Sequence, residues 1–262
     1  MTVFWSFWAD WIVFCGLIMG GYLATASGLY WLVYSLLGKR PNAPGNRSSA
    51  LSRRTIVADI QLSALSVICF SLIAACFTAA YRAGLTKVYV QVGLHGGGYL
   101  LLSYAAVLIL QDAYFYFIHR LFHTPALFRR VHRGHHRSKP PTPWTFFALD
   151  PAESVSQAVF LLGITIVMPL HLGVLVAVLI TMTLWSVGNH LGLERAVPVS
   201  RASRWCGRWL IGSAHHLVHH YRYDRHYGLY FTFWDRLLST EDSSYRLKTK
   251  SPDMGTQGCP LR

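Results

Sequence analysis

The sequence predicts an all-α fold, a multi-pass membrane helical bundle of about four apolar passes, one of them a hairpin. Three observations carry that prediction. Of the 262 residues, 53% are hydrophobic and only 13% charged, with a mean hydropathy of +0.32, whereas soluble domains carry roughly a quarter charged residues. The apolar residues gather in runs as long as the ~20 residues a helix needs to cross a hydrocarbon core. The basic residues, 24 against 11 acids, fall almost entirely on one side of the resulting topology.

Residues 12–37 form the first run, preceded by Trp5, Trp8 and Trp11, as an interfacial aromatic belt would be. No basic residue precedes it, so it reads as a retained span rather than a cleavable signal peptide. Residues 39–54 read as a loop rich in Pro, Gly and Ser, with five basic residues and no acid. Residues 56–80 are the second run, and 81–98 a short connection carrying Arg82 and Lys87. The third run, 99–118, ends directly in His119. Residues 155–187 are too long for one untilted crossing at about 1.5 Å per residue, and Pro169 breaks them near the middle. They read as a helical hairpin that enters and leaves on one side. No internal repeat is visible, and residues 1–262 read as a single integral membrane domain.

If residues 39–54, 119–139 and everything after Gly188 face the cytoplasm, that side holds 22 of the 24 basic residues. The positive-inside rule then sets the N-terminus outside and the C-terminus inside, in a bacterial inner membrane or an endoplasmic reticulum membrane. A net charge of +13 would suggest nucleic acid for a soluble chain. Here basic loops against anionic headgroups account for it, and no nucleic-acid partner is expected. Cys15, Cys69, Cys76, Cys206 and Cys259 form no CxxC pair, and three lie in apolar runs. Neither a disulfide framework nor an iron–sulfur site is expected.

Thirteen histidines are present, eleven of them on the predicted cytoplasmic side. Three clusters stand out: His119-Arg-Leu-Phe-His123, His132-Arg-Gly-His135-His136 and His215-His216-Leu-Val-His219-His220, with His190 as an outlier. Spacings of three and four place imidazoles on one helical face. Imidazole is the commonest side-chain ligand of transition metals, and all-nitrogen sites suit iron, copper or zinc. A structural zinc needs four ligands, usually including cysteine; this many histidines would fill the coordination spheres of two metals. The Glu and Glu-x-x-His ligands of soluble di-iron bundles are missing. His95 and His171 read as turn or core residues, and His226 matches no spacing.

The boxes HRLFH, HRGHH and HLVHH resemble the HxxxH, HxxHH and HxxHH boxes of the fatty acid hydroxylase/sterol desaturase superfamily. Residues 227–240, with Trp234-Asp235-Arg236, are similar to that family's closing motif. The similarity runs over about residues 112–240, and residues 99–240 are expected to form the catalytic region. The resemblance implies an integral membrane oxidoreductase with two non-haem iron ions. By it, His119, His123, His132, His135, His136, His216, His219 and His220 are the carried-over ligands, and His190 and His215 extend the metal-binding set. It also implies O2 as cosubstrate and oxidation of a C–H bond in a membrane lipid, a fatty acyl chain or a sterol, by hydroxylation or desaturation. Electrons would come from NAD(P)H through a separate donor protein such as cytochrome b5 or ferredoxin and its reductase, since no haem-binding domain is recognisable. Where many sterol-type members have His-Pro-x-Glu, this chain has Asp150-Pro151-Ala152-Glu153.

Asp112, Asp224 and Asp235 are candidates to orient free imidazole N–H groups. Arg120, Arg129, Arg130, Arg133 and Arg137 are expected to meet lipid headgroups or an acidic electron donor. Residues 143–147 read as an interfacial anchor, with a substrate entry as the alternative. A haem cytochrome would place histidines singly at membrane depth, and a zincin needs the HExxH glutamate, absent here. A metal-binding scaffold or transporter without oxygenase activity is the remaining alternative; nearly charge-free spans speak against transport.

Overall fold

The computed structural model describes residues 2–36, 48–191 and 205–242; Cys259 and most of the first basic loop lie outside the described residues. Helices α1 (Thr2–Leu36) and α2 (Ser48–Arg82) pack against each other as the first hairpin. Both outrun the apolar runs that predict them. Helix α1 takes in the tryptophan belt, and α2 takes in Arg53 and Arg54, which the sequence reading places in a loop. Residues 48–55 contain no Gly or Pro to stop the helix, and long basic side chains can lie along a helix end while their heads stay in water.

After α2 come the short strand β1 (Val88–Tyr89), a single 3-10 turn and helix α3 (Gly97–Phe122), about 39 Å long at 1.5 Å per residue. Helix α4 (Pro125–Val131) and two 3-10 turns, His135–Arg137 and Pro143–Phe147, lead to α5 (Pro151–Val167), β2 (Leu170–His171) and α6 (Leu172–Asn189). Helices α7 (Ser213–Tyr221) and α8 (Phe233–Leu237) complete the described elements.

The strand pair positions the hairpin. Strand β2 runs parallel to β1, Val88 facing Leu170 and Tyr89 facing His171. The α5–α6 turn therefore lies at the end of the bundle where α2 has finished and α3 begins, opposite His119. The break at Pro169 is held by donors from that end. Tyr99 Oη donates to the Pro169 carbonyl at 2.9 Å, and Lys87 Nζ to the Val167 carbonyl at 3.0 Å. His171 caps α6: the Gly173 N–H donates to its Nδ1 at 3.0 Å, and its Nε2–H donates to the Val90 carbonyl at 3.0 Å. His95 packs between Tyr89 and Tyr99. Both histidines serve this turn region, and both ends of the α5–α6 hairpin return to the histidine-bearing side.

Among the described residues, four helical segments are long and apolar enough to cross a bilayer: Trp5–Leu32, Arg53–Arg82, Gly97–Phe122 and Leu172–Asn189. Their outer faces carry bare hydrocarbon; Ile12 is 65% exposed, Leu101 75% and Leu184 65%. Such a surface needs lipid as its solvent, and this is a multi-pass membrane protein. Inside, Val107 of α3 packs with Leu170, Val174 and Val178. Tyr22 and Ala26 of α1 pack with Phe146 and Val187. The aromatic turn Pro143–Phe147 is thus part of the core and not an interfacial anchor: Phe146 is 4% exposed, and Tyr22 Oη donates to the Trp144 carbonyl at 3.0 Å. Asp59 of α2 fixes the preceding loop, accepting from Ser138 Oγ at 2.6 Å and Thr145 Oγ1 at 2.7 Å.

Candidate metal centre

Each histidine box sits where an element ends. His119 lies in the last turn of α3 and His123 caps it; His132 caps α4, His190 caps α6, and α7 is itself the third box. A C-terminal segment locks these ends together. The Asp112 carboxylate, buried on α3, accepts the backbone N–H groups of Leu229, Tyr230 and Phe231 at 3.2, 2.7 and 3.1 Å. Asp235 accepts the N–H of Tyr227 at 2.8 Å and of Gly228 at 2.9 Å. The chain passes so close here that a Cβ at Gly228 would lie 2.6 Å from the Phe231 carbonyl, which only glycine tolerates.

With the backbone held, carbonyls sort the ring tautomers. His119 donates from Nδ1 to the Tyr227 carbonyl at 2.9 Å, and His135 to that of Ala148 at 3.1 Å. His190 donates to the Ser186 carbonyl at 2.6 Å, and His219 to that of Arg225 at 2.7 Å. His132 Nδ1 meets a carboxylate instead, Glu153 Oε2, at 2.7 Å. A carbonyl can only accept, so these rings carry their proton on Nδ1 and turn a bare Nε2 inward.

Two sets of inward nitrogens result. His119, His123, His132, His136 and His219 form one, and His135, His190, His216 and His220 the other, with the ligand atoms of each set within 4.8 Å of one another. Burial holds His132, His136, His216, His219 and His220 well below the usual imidazole pKa, with neighbouring rings pushing the same way. Burial takes His135 down to about 4 and His190 to about 3. Neutral rings with Nδ1 protonated leave lone pairs face to face: Nε2 of His119 and His132 are 2.9 Å apart, and the bare Nε2 of His190 lies 2.9 Å from Nε2 of His216. Nε2 of His219 is buried without a partner. Lone pairs so close repel unless a cation lies between them. Two nitrogens about 2.1 Å from one ion and at right angles stand about 3 Å apart, so the donor set fits a transition metal in each group.

Of the ten histidines the sequence singles out as ligands, nine fall in these sets and His215 does not. Its ring packs against His226, centroids 4.9 Å apart, on the far side of α7. His226 itself anchors the segment after α8, its Nε2 accepting the Asp242 N–H at 3.2 Å. Among the carboxylates, Asp112 and Asp235 hold backbone rather than imidazole, acting on His119 through the segment that supplies its carbonyl. Asp224 is an exposed neighbour of Arg225. The carboxylate that does orient a ring, Glu153, is one the sequence reading notes only as a departure from a motif. Its signal is the Asp-Pro-Ala-Glu start of α5, which puts Glu153 in the first helical turn, facing the second box. Asp150 acts beside it, accepting the Gly134 N–H at 2.8 Å. Arg120, Arg129, Arg130, Arg133 and Arg137 are all exposed around this end.

A cavity of about 90 Å³ opens against both sets, reaching His119 and His132 of one and His135, His190 and His216 of the other. Phe70, Phe115, Phe146, Phe147 and Met182 supply its bulky apolar lining. By class, then, the chain is a helical membrane protein with two histidine sets of metal-ligand spacing beside one largely apolar cavity. The family model for fatty acid hydroxylase matches residues 104–240. Mouse lathosterol oxidase is 31% identical over 219 residues, covering 82% of this chain and 69% of that protein. Human lathosterol oxidase is 29% identical, covering 88% and 74%, and a Delta(7)-sterol 5(6)-desaturase of Gibberella zeae 26%, covering 70% and 55%. No solved structure is matched. The chain belongs to the fatty acid hydroxylase family, within the superfamily of fatty acid hydroxylases and sterol desaturases.

Proposed function

We propose that this protein is an O2-dependent, di-iron membrane oxidase that hydroxylates or desaturates a C–H bond of a lipid, with a sterol-like ring system as the favoured substrate. The observation that carries the reading is the convergence of two sets of imidazole nitrogens, five of the nine rings held with Nε2 inward, beside one largely apolar cavity. His119, His123, His132, His136 and His219 would hold one iron, and His135, His190, His216 and His220 the other. The chemistry such irons supply is activation of O2 and oxidation of an unactivated carbon.

The chain's own residues do the rest. The carbonyls of Tyr227, Ala148, Ser186 and Arg225 keep protons on Nδ1 and so keep Nε2 free. Glu153 does the same for His132 and strengthens that ring as a donor. The phenylalanine wall excludes water and receives the lipid. The choice of a sterol-like substrate follows the names of the relatives, sterol oxidases and desaturases. The basic end, with most Lys and Arg in the sequence, supports a cytoplasmic placement of the histidines. It also suits an acidic electron donor of the cytochrome b5 or ferredoxin kind, fed by NAD(P)H through its reductase.

Comparative lipidomics tests this directly. Cells expressing the chain should accumulate an oxidised lipid that requires O2 and is missing from a His135→Ala strain. One zinc per chain and no O2-dependent product would leave a metal-binding scaffold as the better reading.

A further inference from the structure

The cavity is not uniformly apolar. Gln157 lies one turn beyond Glu153 on α5, and Asn189 ends α6; both line the cavity and both are 6% exposed. Their polar neighbours are satisfied within the protein: Ser186 Oγ donates to the Phe146 carbonyl at 3.0 Å and Thr183 Oγ1 to the Leu179 carbonyl at 2.9 Å. The two carboxamides make no hydrogen bond among the described residues. A carboxamide offers two donors and an acceptor, and leaving such groups buried and unpaired is costly. Their partner therefore enters the cavity.

We infer that Gln157 and Asn189 form a subsite for a hydrogen-bonding oxygen of the substrate, a hydroxyl or a carbonyl, seated beside the two histidine sets. The substrate is then a lipid oxidised close to a polar group, and not along a bare hydrocarbon tail. A methylene chain seated there would shut both carboxamides away from water and give them nothing in return, whereas an oxygen can accept from one and donate to or accept from the other. Water is the competing occupant, since a cavity of about 90 Å³ can hold it. The inference rests on the lipid-oxidising reading above and adds which part of the lipid the site takes in.

Binding separates the possibilities. The full-length, iron-loaded protein in nanodiscs, kept free of O2, is titrated with two matched pairs: cholestanol against cholestane, and octadecanol against octadecane. The unaltered protein should prefer the hydroxylated member of at least one pair by about tenfold or more. Gln157→Met and Asn189→Leu, which keep the native side-chain length without its polar atoms, should remove most of that preference while leaving hydrocarbon binding in place. Equal affinity within both pairs, or no binding of either alcohol, would overturn the inference, as would a preference that survives both substitutions at normal iron content. Should a variant fail to load iron, the discrimination by the unaltered protein still decides. Failure of the oxidation reading looks different: no O2-dependent product from any lipid, with the binding preference intact.

Discussion

Among single residues, the metal centre depends on which ring nitrogen carries the proton. Four rings give Nδ1–H to backbone carbonyls, which no substitution of a side chain removes. His132 depends on a side chain, Glu153, and so is the one of these five that a substitution at its partner can reach. Glu153→Gln is expected to weaken iron affinity 10- to 100-fold, the range typical of such supporting contacts, and Glu153→Ala more. Chelator competition on the purified protein measures this, and unchanged affinity in both variants would remove Glu153 from the account. Eight of the nine converging histidines stand three or four residues from another in the sequence, a spacing that can bring rings together, whereas the ninth, His190, has no such neighbour. His215 shows the limit of that rule. At about 100° per residue, His215, His219, His216 and His220 span about 140° of α7, and the metal-facing arc is centred on the last three. Spacing alone cannot say which edge of a stripe turns away.

At the scale of elements, α3 and the C-terminal segment stand or fall together. Asp112 is the shared acceptor of three backbone N–H groups, and each buried N–H left unpaired costs ~1–3 kcal/mol. Asp112→Ala should therefore destabilise the protein by about 3 kcal/mol or more, read as a lowered unfolding temperature in detergent, with Asp112→Asn between it and the native chain. Equal stability of all three would mean that the segment is held elsewhere. The sequence could show Asp112 on the face of His119, but not its partners more than a hundred residues away. The α5–α6 hairpin was readable, since Pro169 and excess length both demand a break. The buried aromatic turn was not, because Trp144 and Phe147 resemble interfacial anchors until α1 and α2 are packed over them.

For the whole molecule, hydropathy fixes the class, and the charge asymmetry makes the proposed sidedness testable. In intact cells, a cysteine replacing exposed Val90, between β1 and the 3-10 turn, should react with a membrane-impermeant thiol reagent, Cys206 having first been changed to Ser. A cysteine at exposed Arg133 should react only after permeabilisation; the reverse pattern would invert the topology. If the two histidine sets hold two irons, metal content will show it. Iron is counted in protein purified without O2, alongside His123→Ala from one set and His220→Ala from the other. The account predicts about two irons per chain in the unaltered protein and about one in each variant. Fewer than one iron per chain, zinc in its place, or variants that keep the full load would contradict it.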